Sequence, residues 1–193
     1  NDVEYRRRLF NLRGRCAHVE GCDIDEAVLD NPFLDHAEVT QPGKSLPYPN
    51  DSFDVIYCRF VFEHVQEPHA VAAELMRVLR PGGLLAALTP NKYGYIAVAG
   101  AVVPNRLHVR ALKYIQPKRK SVDVFPTVYG LNTRKDIRSA FGAGAETFVV
   151  YLSGEPAYHF GSPVLFRVFK WLHKHLPSSL QPLLIVYVRK KRC

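Results

Sequence analysis

The residues best suited to chemistry sit at the ends of apolar runs. Asp23 lies at the end of the run Ala17 to Ile24 (AHVEGCDI), which reads as a β-strand ending in a carboxylate. An acid at the tip of such a strand in a nucleotide-binding α/β fold accepts hydrogen bonds from ribose hydroxyls, and Ile24 beside it suits an adenine face. The alternative role for Asp23, shared with Asp25, is to cap the helix that follows. Cys58, Arg59 and Phe60 come at and after the end of a second short apolar run, Asp54 to Cys58 (DVIYC). Ligands of open α/β sheets bind outside the carboxyl ends of the strands, which makes these three candidate cofactor contacts. Glu63 and His64 follow closely. A histidine side chain titrates near neutrality and suits a general base for an acceptor hydroxyl; its alternative is packing at a helix end. His159, in the aromatic and polar stretch Glu155 to Phe160, is a second candidate base, with a structural hydrogen-bonding role as the alternative. Cys16, Cys22, Cys58 and Cys193 show no paired metal spacing, and no Asp/His ligand cluster appears, so no metal is expected.

The elements that must hold these residues are legible around Phe53 to Pro90. Asp54 to Cys58 has strand length and composition. From Ala70 onward Val71, Leu75, Val78 and Leu79 recur at helical spacing, with Glu74, Arg77 and Arg80 left for the wet side. Pro81-Gly82-Gly83 is expected to turn the chain, and Leu84 to Leu88 to form a strand apolar on both faces, as in a parallel sheet. Strand, crossover helix and strand make a βαβ unit. Asp2 to Leu12 reads as an earlier helix ended by Gly14, Glu38 to Gln41 as a short strand with its exit, and Thr147 to Leu152 and Leu183 to Val188 as further strands. Thr133 to Asp136 opens a helix through Phe141 like a capping box. Ser162 as N-cap and Pro163 at the first helical position start another.

Two strings within these elements, FDVIYCRFVFEHV and ELMRVLRPGGLL, resemble the fourth strand, following loop and fifth strand of class I S-adenosylmethionine-dependent methyltransferases. The likeness is closest to the small-molecule branch that includes quinone-biosynthesis methyltransferases; it runs from about Asn1 to Pro90 and resumes over Asn132 to Val150. It implies an α/β, Rossmann-like, mostly parallel sheet with helices on both faces and an antiparallel last strand. It implies S-adenosylmethionine as cofactor, with Asp23 on the ribose, Ile24 on the adenine, and the backbone of Cys58, Arg59 and Phe60 along the methionine end. Where the family often carries an acid near the adenine amino group, this chain reads VTQPGKS, leaving Thr40 and Gln41 as substitutes. The family's first strand and glycine-rich turn are not found, so the expectation is an N-terminally truncated domain with the first strand missing and cofactor binding impaired. The expected layout is one domain over 1–193, with its core in 1–90, 131–152 and 183–189. Segments 91–130 and 153–182 are insertions on the acceptor side.

Composition bounds the partners. The net charge of +8, from 26 basic and 18 acidic residues, is concentrated late, in Lys118-Arg119-Lys120 and Arg189-Lys190-Lys191-Arg192. That distribution suits a phosphate-bearing small molecule or an anionic membrane surface as well as nucleic acid, and no NPPY-type motif follows the fourth strand, so nucleic acid is disfavoured. In the 162–176 stretch Val164, Leu165, Val168, Phe169, Leu172 and Leu176 fall on one arc, with Arg167, Lys170 and Lys174 opposite and Trp171 near the boundary. Such a helix either packs on its own domain or lies on an anionic membrane. Tyr93, Tyr95, His108, Lys118, Arg119 and Tyr129 are further possible acceptor contacts. No apolar run is long enough to cross a membrane and the start is polar, so a cytoplasmic, membrane-peripheral enzyme is expected. The leading expectation is methyl transfer to a small-molecule acceptor, lipid- or glycan-linked. A nicotinamide-dependent Rossmann oxidoreductase and a non-enzymatic scaffold or membrane-surface module stand as alternatives. Oligomeric state is left open.

Overall fold

A computed structural model describes residues 4, 5, 8, 9, 11–95, 97, 98, 127–154, 156 and 161–192. The chain divides into two compact units, Asn1–Pro49 and Asn50–Cys193. In the first, Glu4, Tyr5, Arg8 and Leu9 are helical, and an exposed Arg8–Glu4 ion pair of 2.9 Å spans one turn. Strands β1 (Glu20–Asp23) and β2 (His36–Val39) pair in parallel, with Glu20 opposite His36 and Asp23 opposite Val39. A one-turn 3₁₀ segment, Glu26–Asp30, lies in the crossover between them.

The second unit holds β3 (Phe53–Arg59), α1 (Pro68–Val78), β4 (Leu79–Pro90), α2 (Arg134–Phe141), β5 (Ala145–Leu152), α3 (Pro163–His175) and β6 (Leu183–Lys190). Its four-stranded sheet has the order β3-β4-β6-β5. β3 and β4 run parallel, and β6 runs antiparallel to both its neighbours, as expected of the last strand. Registers place Leu85, Ala87 and Thr89 of β4, Leu184, Val186 and Val188 of β6, and Val149 of β5 on one face. All are buried, as are Phe62, Leu75, Val78, Ile137 and Phe141 from the segments that cover them. Full burial of each large side chain contributes about 1.5–3 kcal/mol, which makes this layer the core of the unit. α1 and α2 pack on each other within it. On the opposite face Val55, Tyr57, Tyr187 and Phe148 stand exposed.

The Pro-Gly-Gly segment behaves differently from the turn expected of it. α1 ends at Val78 and β4 begins at once with Leu79, which is fully buried and pairs with Phe53. The register then slips, so that Val55 pairs with Leu84, and Pro81-Gly82-Gly83 is accommodated as an irregularity within one long strand. Gly82 has φ 82°, and a Cβ on Gly83 would stand 2.9 Å from the Arg80 carbonyl oxygen. The bulge therefore needs both glycines.

The end of α1 is fixed by a residue from the far end of the chain. Lys190 Nζ donates to the Met76 and Leu79 carbonyls and to Asp51 Oδ1, each at 2.7 Å. A cation at a helix C-terminus satisfies orphan carbonyls and opposes the helix dipole. Lys190→Met is expected to destabilise the protein by about 1–2 kcal/mol in urea denaturation, since it removes charged hydrogen bonds at a half-buried site. Lys191→Met, on an exposed side chain, should stay within about 0.5 kcal/mol.

Candidate functional site

In the first unit the predicted cofactor residues gather at one sheet edge. Asp23 ends β1, and the Thr40 amide donates to the Asp23 carbonyl at 2.9 Å, which carries the parallel pairing one residue past β2. The two roles weighed for Asp23 and Asp25 separate. Asp25 is the N-cap of the 3₁₀ segment, its Oδ1 accepting from the Ala27 amide at 2.9 Å. Asp23 Oδ1 accepts the Asp25 amide at 3.1 Å, and Asp23 is exposed at the strand end. Ile24 is 42% exposed beside it. Thr40 turns its hydroxyl toward the half-buried Cys22 thiol, which burial pushes above its usual range. The Gln41 carbonyl accepts the Lys44 amide at 3.1 Å in a turn, leaving an exposed side chain.

In the second unit Cys58 and Arg59 end β3 opposite Ala87 and Leu88. Burial pushes the Cys58 thiol up to about 12, so it is a packed hydrophobe and not a nucleophile. Phe60 follows with φ 55°, its amide donating to the Leu88 carbonyl at 2.8 Å, and the Arg59 guanidinium lies 5.3 Å from its ring centroid. A phenylalanine in the left-handed region costs on the order of 1–3 kcal/mol, and such strain clusters where a strand end is aimed at a ligand. His64 ends a 3₁₀ turn, Phe62–His64, and its side chain is 30% exposed. His159 lies outside the described residues, as do His108, Lys118 and Arg119.

The residue that sequence reasoning passed over is Glu63. It is 5% exposed, and its Oε2 accepts from Thr89 Oγ1 at 3.1 Å. Thr89 accepts in turn from Asn132 Nδ2 at 2.7 Å, and the same amide donates to the Pro90 carbonyl at 2.7 Å. Asn132 Oδ1 is buried and has no hydrogen-bond partner among the described residues. The Glu63 backbone carbonyl accepts the amides of Val128 and Tyr129, at 2.8 and 3.1 Å, and Tyr129 is another non-glycine residue at positive φ. Glu63 Oε1 lies 4.0 Å from His64 Nε2. Burial raises the Glu63 carboxyl above the usual carboxylate range, opposed by hydrogen bonds and by His64. A single acid thus joins the loop after β3, the end of β4 and the segment entering α2. The available signal was an acid set among large apolar residues, FVFEHV, directly after a buried strand.

A methyltransferase domain family matches residues 6–87, which spans β1 to the body of β4. The chain is 29% identical over 147 residues to a demethylmenaquinone methyltransferase of Listeria welshimeri, covering 72% of this chain and 59% of that protein. It is 36% identical over 95 residues to a ubiquinone/menaquinone biosynthesis C-methyltransferase of Hahella chejuensis, covering 45% of this chain and 38% of that protein. An S-adenosylmethionine-dependent methyltransferase structure from Mesorhizobium loti superposes with TM-score 0.54 at 17% identity, covering 91% of this chain and 81% of the other. The family match over residues 6–87, the similar relatives and the shared fold support a class I S-adenosylmethionine-dependent methyltransferase. The α/β fold expected from the two strings is the fold observed, and the matches lend no support to the oxidoreductase or scaffold alternatives. The chain spans about 59% of the length of the Listeria relative. Among the described residues no group of histidine, cysteine and acidic side chains could hold a metal ion, and no helix is long and apolar enough to cross a membrane.

Proposed function

We propose that the protein transfers a methyl group from S-adenosylmethionine to a small-molecule acceptor with a quinol-like ring, met at a membrane surface. The observation that carries this reading is the exposed Asp23 carboxylate at the end of a parallel strand pair, separate from the cap formed by Asp25. That donor set fits a nucleoside: Asp23 has acceptor capacity for ribose hydroxyls, and Ile24 offers an exposed apolar surface to a base. The Thr40 amide is held by the Asp23 carbonyl, so its backbone carbonyl is assigned to adenine recognition, with Gln41 supplying a side chain. The backbone at Cys58, Arg59 and Phe60 is assigned to the methionine end. S-adenosylmethionine supplies an electrophilic methyl group on a sulfonium.

His64 is assigned as the base. Its Nε2 stands 4.0 Å from Glu63 Oε1, so the acid is placed to balance the charge of a ring that takes up the acceptor's proton. Positioning of the reacting groups supplies much of the rate in such displacements, and the base contributes only where a hydroxyl must lose its proton. His159 is kept as the alternative base. A peripheral contact with an anionic membrane completes the reading, because a prenylated acceptor partitions into lipid.

Calorimetry with S-adenosylhomocysteine, followed by incubation with methyl-labelled S-adenosylmethionine and a prenylated hydroxynaphthoquinol, tests the proposal. Saturable heat and label in the quinol are expected. Heat without label would remove the acceptor assignment, and absence of both would remove the enzymatic reading.

A further inference from the structure

The face of α3 that the domain covers is rotated from the apolar arc read from the sequence, keeping Phe169, Leu172 and Leu176 and leaving Val164, Leu165 and Val168 exposed. Phe166, Phe169, Leu172 and Leu176 are half-buried and His173 is 6% exposed, so the covered side is centred on these residues. Tyr95 sets that rotation. Its ring stacks on Phe169 with centroids 6.0 Å apart, and its hydroxyl lies 2.7 Å from His173 Nε2. The Gln181 amide holds the helix end by donating to the His173 carbonyl at 2.8 Å. In consequence Val164, Val168 and Trp171 form an outward stripe, 68%, 51% and 62% exposed. Arg167, Lys170 and Lys174 form a second exposed stripe beside it, since residues three and four apart share a helix face.

Charge tells this stripe apart from the exposed sheet face with Tyr57, Tyr187 and Phe148, where Arg189 stands opposite Glu146 in the register. The last acidic residue of the chain is Glu155, so α3 and all that follows carry positive charge alone. We propose that the outer face of α3 docks on an anionic lipid surface, with Val164, Val168 and Trp171 entering the interface and Arg167, Lys170 and Lys174 meeting the headgroups. This deepens the membrane contact of the proposed function and rests on that contact alone, not on methyl transfer. An aromatic and apolar stripe buries into the acyl boundary, while each nearby cation adds to attraction for anionic lipid. Lys190 takes no part, because it caps α1.

Trp171 is the chain's only tryptophan, so its emission reports on this face directly. With vesicles of phosphatidylcholine mixed with phosphatidylglycerol, its emission should shift to the blue and the protein should sediment with the lipid. Binding should be at least about tenfold tighter than to phosphatidylcholine alone and should weaken as salt is raised. The double variant Arg167→Glu/Lys170→Glu should lose at least about tenfold of this binding, while Trp171→Phe should keep it and lose the optical signal. Equal binding to both vesicle types, or binding untouched by the charge reversal, would overturn the proposal. So would a blue emission that is already present without lipid and rises with protein concentration, which would mean that a second copy covers the stripe. A blue, quencher-shielded emission independent of concentration would assign the cover to the chain itself and would equally overturn it. Calorimetry with S-adenosylhomocysteine on the same double variant should match the parent, so loss of docking is told apart from loss of the donor site.

Discussion

Replacing Asp23 by asparagine is expected to weaken S-adenosylhomocysteine binding by about tenfold to a hundredfold while leaving the circular dichroism and melting profile unchanged. Asparagine keeps an oxygen for the Asp25 amide, now 3.1 Å from Oδ1, so the strand exit is preserved. What disappears is the charge. Hydrogen bonds to a charged group contribute about 1.5–3 kcal/mol, and 1.4 kcal/mol is a factor of ten in affinity. Because the carboxylate is exposed, its removal leaves no buried donor stranded, and the whole effect should appear in binding. Asp25→Ala supplies the contrasting result. It removes an N-cap and should cost about 0.5–2 kcal/mol of stability with little change in affinity. If both variants weakened the ligand equally, Asp23 would be acting through the cap, and the nucleoside assignment would fall.

That contrast rests on local geometry that short-range sequence signals express well. Thr133 accepts the Asp136 amide at 3.1 Å and Ser162 accepts the Leu165 amide at 3.4 Å, each a cap whose partner is three residues away. β3, α1 and β4 were equally legible, because apolar periodicity is set within a few turns or pleats. The errors came where distant residues decide. The Pro-Gly-Gly segment signalled a turn, yet pairing with Phe53 draws Leu79 into the strand before the glycines are reached. In α3 the periodicity was right and the face is rotated: Phe169, Leu172 and Leu176 of the expected arc are covered, while Tyr95, far back in the chain, draws in His173 and leaves Val164, Leu165 and Val168 outside. Glu63 is the same lesson at the site. Its apolar neighbours in sequence hint at burial and do not name its partners. Its burial comes from Thr89, Val128, Tyr129 and Asn132, which no local pattern connects to it.

Glu63→Gln is therefore expected to act in opposite directions on activity and stability. Glutamine is nearly isosteric and retains an oxygen for the Thr89 hydroxyl, so the network to Asn132 stays intact. It lacks the charge that faces His64 Nε2 across 4.0 Å, and a base held by a neutral neighbour should turn over about tenfold to a hundredfold more slowly, with the ligand affinity set at Asp23 unchanged. The stability effect has a definite sign. Burial raises the folded-state carboxyl above its unfolded value, so the folded protein binds the proton more tightly than the unfolded chain. Stability linked to Glu63 is thus fully present below the unfolded carboxyl range and is lost as pH rises through the raised folded value. Removing the group removes that loss. Thermal melts should show Glu63→Gln equal to or below the parent in acid and above it at neutral and alkaline pH, with flattened pH dependence between. Glu63→Asp, which restores charge on a shorter stem, should recover part of the rate together with the parent's pH dependence. A Glu63→Gln protein that turned over at the parental rate would make the acid a purely structural tie between β4 and the segment entering α2. One that lost stability at every pH would show that the carboxylate is net stabilising where it stands, contrary to the burial argument.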